Sequence, residues 1–186
     1  MPFDASTEPT SPDMRGGTHV AAMQTPLGRI ALHWCGDGPA QATASTGALT
    51  AVVLAADASD SAALPVPPRW LAAPFDAYFQ DPSRRIDVRC KLSGTPFQRR
   101  VWRLIAAIPP GTTRTYGELA TALGSSARAV GGACRANPCP LVVPCHRVVA
   151  RHGLGGFAGD RGGRLLDIKR WLLSHEAASA RTGQAA

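Results

Sequence analysis

A thiol and an imidazole stand side by side at Cys145-His146, between Pro144 and Arg147. The thiolate is the reactive form of cysteine, and a free thiol at neutral pH is mostly protonated. A neighbouring base, cation or hydrogen-bond network is what turns such a residue into a nucleophile. The chemistry on offer is attack by sulfur, with the imidazole taking the thiol proton. Adjacency alone does not bring the two side chains together, because successive residues of an extended strand point to opposite faces. Pro144 biases the chain towards a turn, where both side chains could reach one cavity. Leu141-Val142-Val143 and Val148-Val149 read as buried strands on either side. On spacing alone, an inert core thiol and a reactive one stand as equal readings.

The elements that must position this pair are legible on both sides of it. Thr95-Pro96-Phe97-Gln98 combines an N-cap threonine, proline at the first helical position and glutamine three residues on. Phe97, Val101, Leu104, Ile105 and Ile108 then share one helical face until Pro109-Pro110-Gly111. Thr115-Tyr116-Gly117-Glu118 repeats the capping pattern and opens a helix with Leu119 and Leu123 inward and Gly124 at its end. Ser125 or Ser126 caps a third helix through Arg128, Val130 and Arg135 to about Ala136. Two short helices across a Gly-Ser-Ser turn form a helix-turn-helix candidate, a hairpin that many proteins use purely for packing. A glycine-rich loop, 153–163, follows the Cys-His region. A last helix is expected from about Leu165, with Leu166, Ile168, Trp171, Leu172 and Leu173 on its apolar side, to Ser174–Ala177.

The first half carries no recognisable chemistry. Residues 1–16 are polar and rich in Pro, Ser and Thr, and read as a disordered leader. Val20–Met23, Arg29–Trp34 and Leu49–Leu54 look like strands, with Pro26-Leu27-Gly28 as a hairpin turn. Pro65–Pro68 reads as a linker, and Pro68–Asp81 as a short helix around Leu71, Phe75 and Phe79. The expected division is a leader 1–16, an N-terminal α/β domain 17–91, a C-terminal domain 92–178 and a frayed tail 179–186.

The chain has 186 residues and a formal net charge of +7, with Lys91 and Lys169 its only lysines. That charge suits a polyanionic partner, although an arginine-rich composition also follows from genomic base bias. Cys35, Cys90, Cys134, Cys139 and Cys145 make an odd number without a CxxC pair, which argues against a disulfide scaffold. With no signal-peptide pattern and no apolar run near the roughly 20 residues of a membrane span, a reducing, cytoplasmic setting is expected.

Six blocks stand in order along the second half: Gly94-Thr95-Pro96-Phe97-Gln98, Tyr116-Gly117-Glu118-Leu119-Ala120, Ala127-Arg128-Ala129-Val130-Gly131-Gly132-Ala133, Arg135-Ala136-Asn137-Pro138, Val143-Pro144-Cys145-His146-Arg147-Val148-Val149 and Lys169-Arg170-Trp171-Leu172-Leu173-Ser174-His175-Glu176. In these the chain resembles the catalytic half of the O6-alkylguanine-DNA alkyltransferases, also called methylated-DNA–protein-cysteine methyltransferases. The resemblance implies an α+β fold: a small N-terminal α/β, ribonuclease H-like domain, then a mainly helical, winged-helix-like domain with a helix-turn-helix. It implies direct-reversal repair of O6-alkylguanine, and of O4-alkylthymine, in double-stranded DNA entered from the minor groove by a monomer without a cofactor.

On that resemblance Cys145 is the alkyl acceptor, His146 its base, Glu176 the carboxylate that orients the imidazole, and Tyr116 the donor to the departing guanine. Asn137 ties the recognition helix to the active-site turn. Arg128 fills the place of the flipped nucleotide, with Tyr116, Ala127, Ala129, Gly131 and Arg135 also meeting DNA. Pro140, Val148, Gly156, Phe157 and Ala158 wall the base pocket. Phe157 stands where a tyrosine is usual, and the loop Asp160–Arg164 is longer than usual. No metal is expected, since His33 and Cys35 are the only close pair of N-terminal ligands. Cys139 is a bystander near the site. Two rivals are a catalytically silent binder of alkylated DNA and a Cys-His hydrolase.

Overall fold

The computed structural model describes residues 17–36, 47–55, 63–160 and 162–182. The expected leader and the last four residues of the expected tail lie outside them. Strands β1 (Thr18–Thr25) and β2 (Gly28–Cys35) pair antiparallel, closing with Thr25 opposite Gly28 across a Pro26-Leu27 turn. Gly28 is the turn's exit, with a φ of 94° that side-chain-bearing residues rarely adopt. β3 (Ala48–Val53) adds antiparallel to β2, giving the sheet order β1-β2-β3. Helix α1 (Arg69–Gln80) follows and buries Leu71, Phe75 and Tyr78. The expected inward residue Phe79 is only half-buried, and Tyr78 takes the core position beside it.

The second half is helical. Helix α2 (Pro96–Ala107) starts in the expected capping box: the Gln98 amide N–H donates to Thr95 Oγ1 at 3.2 Å, and the Thr95 N–H donates to Gln98 Oε1 at 2.8 Å. Helix α3 (Tyr116–Leu123) repeats it with Thr115 and Glu118, and ends on Gly124 at φ 58°. Each such cap stabilises its helix by about 1 kcal/mol. Helix α4 (Ala127–Arg135) is capped by Ser126, whose Oγ accepts from the Ala129 N–H at 3.2 Å. Trp102 of α2 donates its indole N–H to Ala133 O of α4 at 2.9 Å, fixing the hairpin on the core.

Two-residue strands β4 (Arg114–Thr115) and β5 (Val148–Val149) pair in parallel. Helix α5 begins at Gly163 and continues to Thr182, past the stop expected at Ser174–Ala177. Among the described residues there are thus five α-helices and a small antiparallel sheet. One apolar core runs from Ile30, Leu32 and Trp34 through Phe75 to Val101, Val130 and Leu172. No helix of the described residues is long and apolar enough to cross a membrane.

Leu141-Val142-Val143 is not a strand. It lies in a turn, with Leu141 at φ 76° and the Val143 N–H donating to Cys139 O at 2.9 Å. A leucine in the left-handed region costs on the order of 1–3 kcal/mol and persists only where its surroundings hold it.

Candidate active site

Asn137 is what holds that turn. Its Nδ2 donates to Val143 O at 2.8 Å and to Cys145 Sγ at 3.2 Å, while its Oδ1 accepts from the Cys139 N–H at 3.1 Å. Side-chain bonds thus replace the ladder that a strand would have supplied. At Pro144 the chain folds back, and the Cys145 N–H donates to Val143 O at 2.8 Å, the bond pattern of a γ-turn. Cys145-His146-Arg147 then forms a single 3₁₀ turn in which all three residues are buried. Burial pushes the Cys145 thiol up, opposed by the Asn137 N–H and by the positive charge of Lys169.

His146 Nε2 lies 2.9 Å from Glu176 Oε1, and neither side chain is exposed. A charged Glu176 makes Nε2 the protonated nitrogen, which leaves Nδ1 with its lone pair. That Nδ1 is buried and has no hydrogen-bond partner among the described residues. Burial lowers the proton affinity of His146 against the opposing pull of Glu176. The resting pair is therefore neutral thiol and neutral imidazole.

Glu176 is far from a solvated carboxylate at a helix end. Arg147 donates from Nε to Oε2 at 3.0 Å and from NH2 to Oε1 at 2.7 Å, Tyr78 from its hydroxyl to Oε1 at 2.8 Å, and the Gly111 N–H to Oε2 at 3.1 Å. Burial opposes its charge, but the donors from His146 and Arg147 outweigh it and hold the carboxyl well below its usual range. Arg147 spends its NH1 on Ile108 O at 2.6 Å, so the end of α2 joins the same network.

Lys169 lies about two turns before Glu176 on the same buried face of α5. Its ammonium donates to Val148 O, Leu154 O and Gly156 O at 2.6, 2.7 and 2.9 Å, and burial pushes its pKa down to about 8. Gly156 O also accepts from the Tyr116 hydroxyl at 3.1 Å, so one carbonyl aligns both side chains. Burial raises the Tyr116 hydroxyl above its ordinary value, and the neighbouring thiols Cys134 and Cys145 add to this. Gly155 makes the approach possible: at φ 67°, a Cβ there would stand 2.9 Å from the Tyr116 ring.

A cavity of about 490 Å³ opens beside the thiol, bounded by Tyr116, α4 and the loop 156–160. Of the residues expected to act, Tyr116, Ala127, Arg128, Gly131, Arg135, Cys145, Gly156, Phe157 and Ala158 line it. Arg128 and Arg135 are exposed, while Phe157 is buried. Ala129 lies on α4 away from the cavity lining, Pro140 is buried in the turn, and Val148 is buried in β5 with its carbonyl on Lys169. Cys139 is buried, and the neighbouring Cys90 and burial push its thiol up.

Sequence reasoning left out Tyr78, Arg147 and Lys169 as members of the site. Two signals were available. Lys169 falls seven residues before Glu176 and shares its helical face with the apolar Leu172 and Leu173, and Arg147 continues the Cys-His motif. Tyr78 offered only its place in an amphipathic helix.

The family description "6-O-methylguanine DNA methyltransferase, DNA binding domain" matches residues 96–178. A methylated-DNA–protein-cysteine methyltransferase of Salmonella typhimurium is 54% identical over 86 residues, 45% of this chain and 47% of that protein. The Mycobacterium tuberculosis O6-methylguanine methyltransferase crystal structure superposes with a TM-score of 0.69 at 34% identity, covering 88% of this chain and 94% of that one. The chain belongs to the O6-methylguanine-DNA methyltransferase family. The same mycobacterial methyltransferase is known in complex with DNA, at a TM-score of 0.66 and 34% identity over 87% of this chain and 94% of that one. In sequence, the chain spans about half the length of the curated methyltransferases it matches, 56% for a probable one from Acanthamoeba polyphaga mimivirus. The family match starts at the first residue of α2 and takes in every site residue named above except Tyr78.

Proposed function

We propose that the protein repairs O6-alkylguanine in DNA by moving the alkyl group, once and irreversibly, onto its own Cys145. The observation that carries this is the thiol itself: buried on the cavity wall, bonded to Asn137 and followed by an imidazole fixed on a charged carboxylate. The thiol proton passes through a water to His146 Nδ1, and Glu176 stabilises the imidazolium. The thiolate then displaces guanine at the saturated alkyl carbon: a C–S bond forms, the C–O6 bond breaks, and its electrons leave with the base. Tyr116, held protonated by burial, supplies the hydrogen bond and proton that the departing guanine needs. Displacement at saturated carbon needs no oxyanion hole, and the thioether product resists hydrolysis, so no second cycle follows.

The same reading places the lesion in a duplex approached through the minor groove by α4. Arg128 occupies the gap left by the extruded nucleotide, and Ala127, Ala129, Gly131 and Arg135 lie along the DNA. Asn137 ties α4 to the Cys145 turn, and Pro140, Val148, Gly156, Phe157 and Ala158 shape the pocket. O4-alkylthymine fits the same chemistry. In this reading residues 17–91 form a ribonuclease H-like unit and residues 92–178 a winged-helix-like one. The protein acts as a cytoplasmic monomer without a cofactor.

The test is a duplex carrying methyl-labelled O6-methylguanine, incubated with the full chain, which is then digested and mapped by mass spectrometry. Label on Cys145 alone is expected. Cys145→Ala should transfer nothing and bind the duplex with affinity near that of the wild type; label elsewhere, or transfer by that variant, would overturn the assignment.

A further inference from the structure

The chain has two tyrosines, and both reach this site. Tyr116 faces the cavity, whereas Tyr78 comes from α1, outside the matched family region. The Tyr78 hydroxyl shares Glu176 Oε1 with His146 Nε2 and Arg147 NH2. Its ring is 1% exposed and is flanked edge-on by Phe79 and His175, with centroids 5.3 and 5.7 Å away. His175 Nε2 lies 3.3 Å from the Tyr78 carbonyl, a second tie between α1 and α5. Burial, then the charge of Glu176, keeps the hydroxyl protonated and hence a donor.

We propose that Tyr78 is a positioning residue through which the N-terminal half of the chain sets the basicity of His146, by sharing the lone pairs of Glu176 Oε1. The proposal rests on the reaction above and extends it to a residue that the reaction did not include. Every donor to a carboxylate oxygen spreads its charge and weakens its hold on a neighbouring cation. With Tyr78 and Arg147 already donating, Glu176 fixes the imidazole without forcing a proton onto Nδ1. The other groups facing the pair are Cys145 and Arg147 on the turn, Lys169 and His175 on α5, and the Gly111 N–H. Arg147 and Lys169 both disfavour an imidazolium, so among the described residues Glu176 alone favours it. Removing the Tyr78 hydroxyl leaves these charges in place and returns negative charge to Oε1, which raises the proton affinity of His146.

The experiment compares wild type, Tyr78→Phe and Trp171→Phe, each as the full chain. Trp171 stacks on His175 at 4.6 Å, so Trp171→Phe loosens the same aromatic cluster without touching Glu176. Two readouts are taken across the pH range: the single-turnover methyl-transfer rate at saturating O6-methylguanine duplex, and the NMR titration of the His146 ring. In Tyr78→Phe both the acid limb of the rate and the ring titration should move up by about 0.5–1 pH unit. In Trp171→Phe both should stay with the wild type, whatever happens to its melting temperature. An unmoved ring titration in Tyr78→Phe, or an equal shift in Trp171→Phe, overturns the role of Tyr78. Absence of transfer by the wild type would overturn the reaction instead, and the ring titration would still decide the question of Tyr78.

Discussion

Glu176 and His146 are two titrating groups buried back to back, and both favour the state that binds fewer protons. His146 has its folded pKa below the ordinary 6.5, and Glu176 its own below the ordinary 4.5. In both windows the unfolded chain takes up protons before the native one, so stability rises with pH. Urea midpoints should therefore fall as pH drops through about 6.5, as unfolded His146 charges, and fall further below 4.5, as unfolded Glu176 neutralises. Glu176→Gln leaves Arg147 as a buried guanidinium facing no charge, at a cost of about 3–5 kcal/mol near neutral pH. That gap should narrow below about pH 4.5, because protonation of the unfolded Glu176 carboxyl lowers the stability of the wild type alone; a constant gap would contradict this account. The membership of the site was only partly legible in the sequence. Cys145 and His146 announce themselves by type, and Glu176 by position in a motif, but the donors that keep Glu176 charged come from three separate segments. Tyr78, Gly111 and Arg147 meet it only through the fold.

The helices were readable because their signals are local. Thr95 and Thr115 each cap with the residue three positions on, so the capping boxes follow from four consecutive residues. The turn before Cys145 was not readable, because three adjacent apolar residues carry the strand pattern and the bonds that override it come from the Asn137 side chain. The last helix also outran its expected stop, since residues 174–182 hold no glycine or proline to end it. Helix α4 makes a sharper prediction. Gly132 is exposed and a Cβ added there meets nothing within 4 Å, so its smallness serves no internal packing. Gly132→Ala should stabilise the fold by about 0.5–1 kcal/mol through helix propensity and weaken duplex binding severalfold. A higher melting temperature with unchanged DNA affinity would mean that α4 does not face the duplex.

At the scale of the whole molecule, the two halves share one core and one hydrogen-bonded centre. Val52 of β3 donates its N–H to Pro138 O at 2.8 Å, and Tyr78 of α1 reaches Glu176, so the sheet half braces the active-site turn from two sides. Neither link could be read from the sequence, because each joins segments more than 80 residues apart. Under the proposed function, extrusion of the base is a second whole-molecule property, since a buried thiol cannot reach O6 inside a stacked duplex. Arg128→Ala should therefore slow repair of a duplex by about tenfold or more while leaving the reaction with free O6-benzylguanine nearly unchanged. Equal losses on both substrates would place Arg128 in the chemistry instead. The central claim is that one molecule reacts once. Titrating a fixed amount of protein with excess O6-methylguanine duplex and counting methyl groups removed tests it directly. The account predicts a plateau at one methyl per protein molecule that longer incubation does not raise. Continued removal past that plateau, with Cys145 recovered as free thiol, would contradict it.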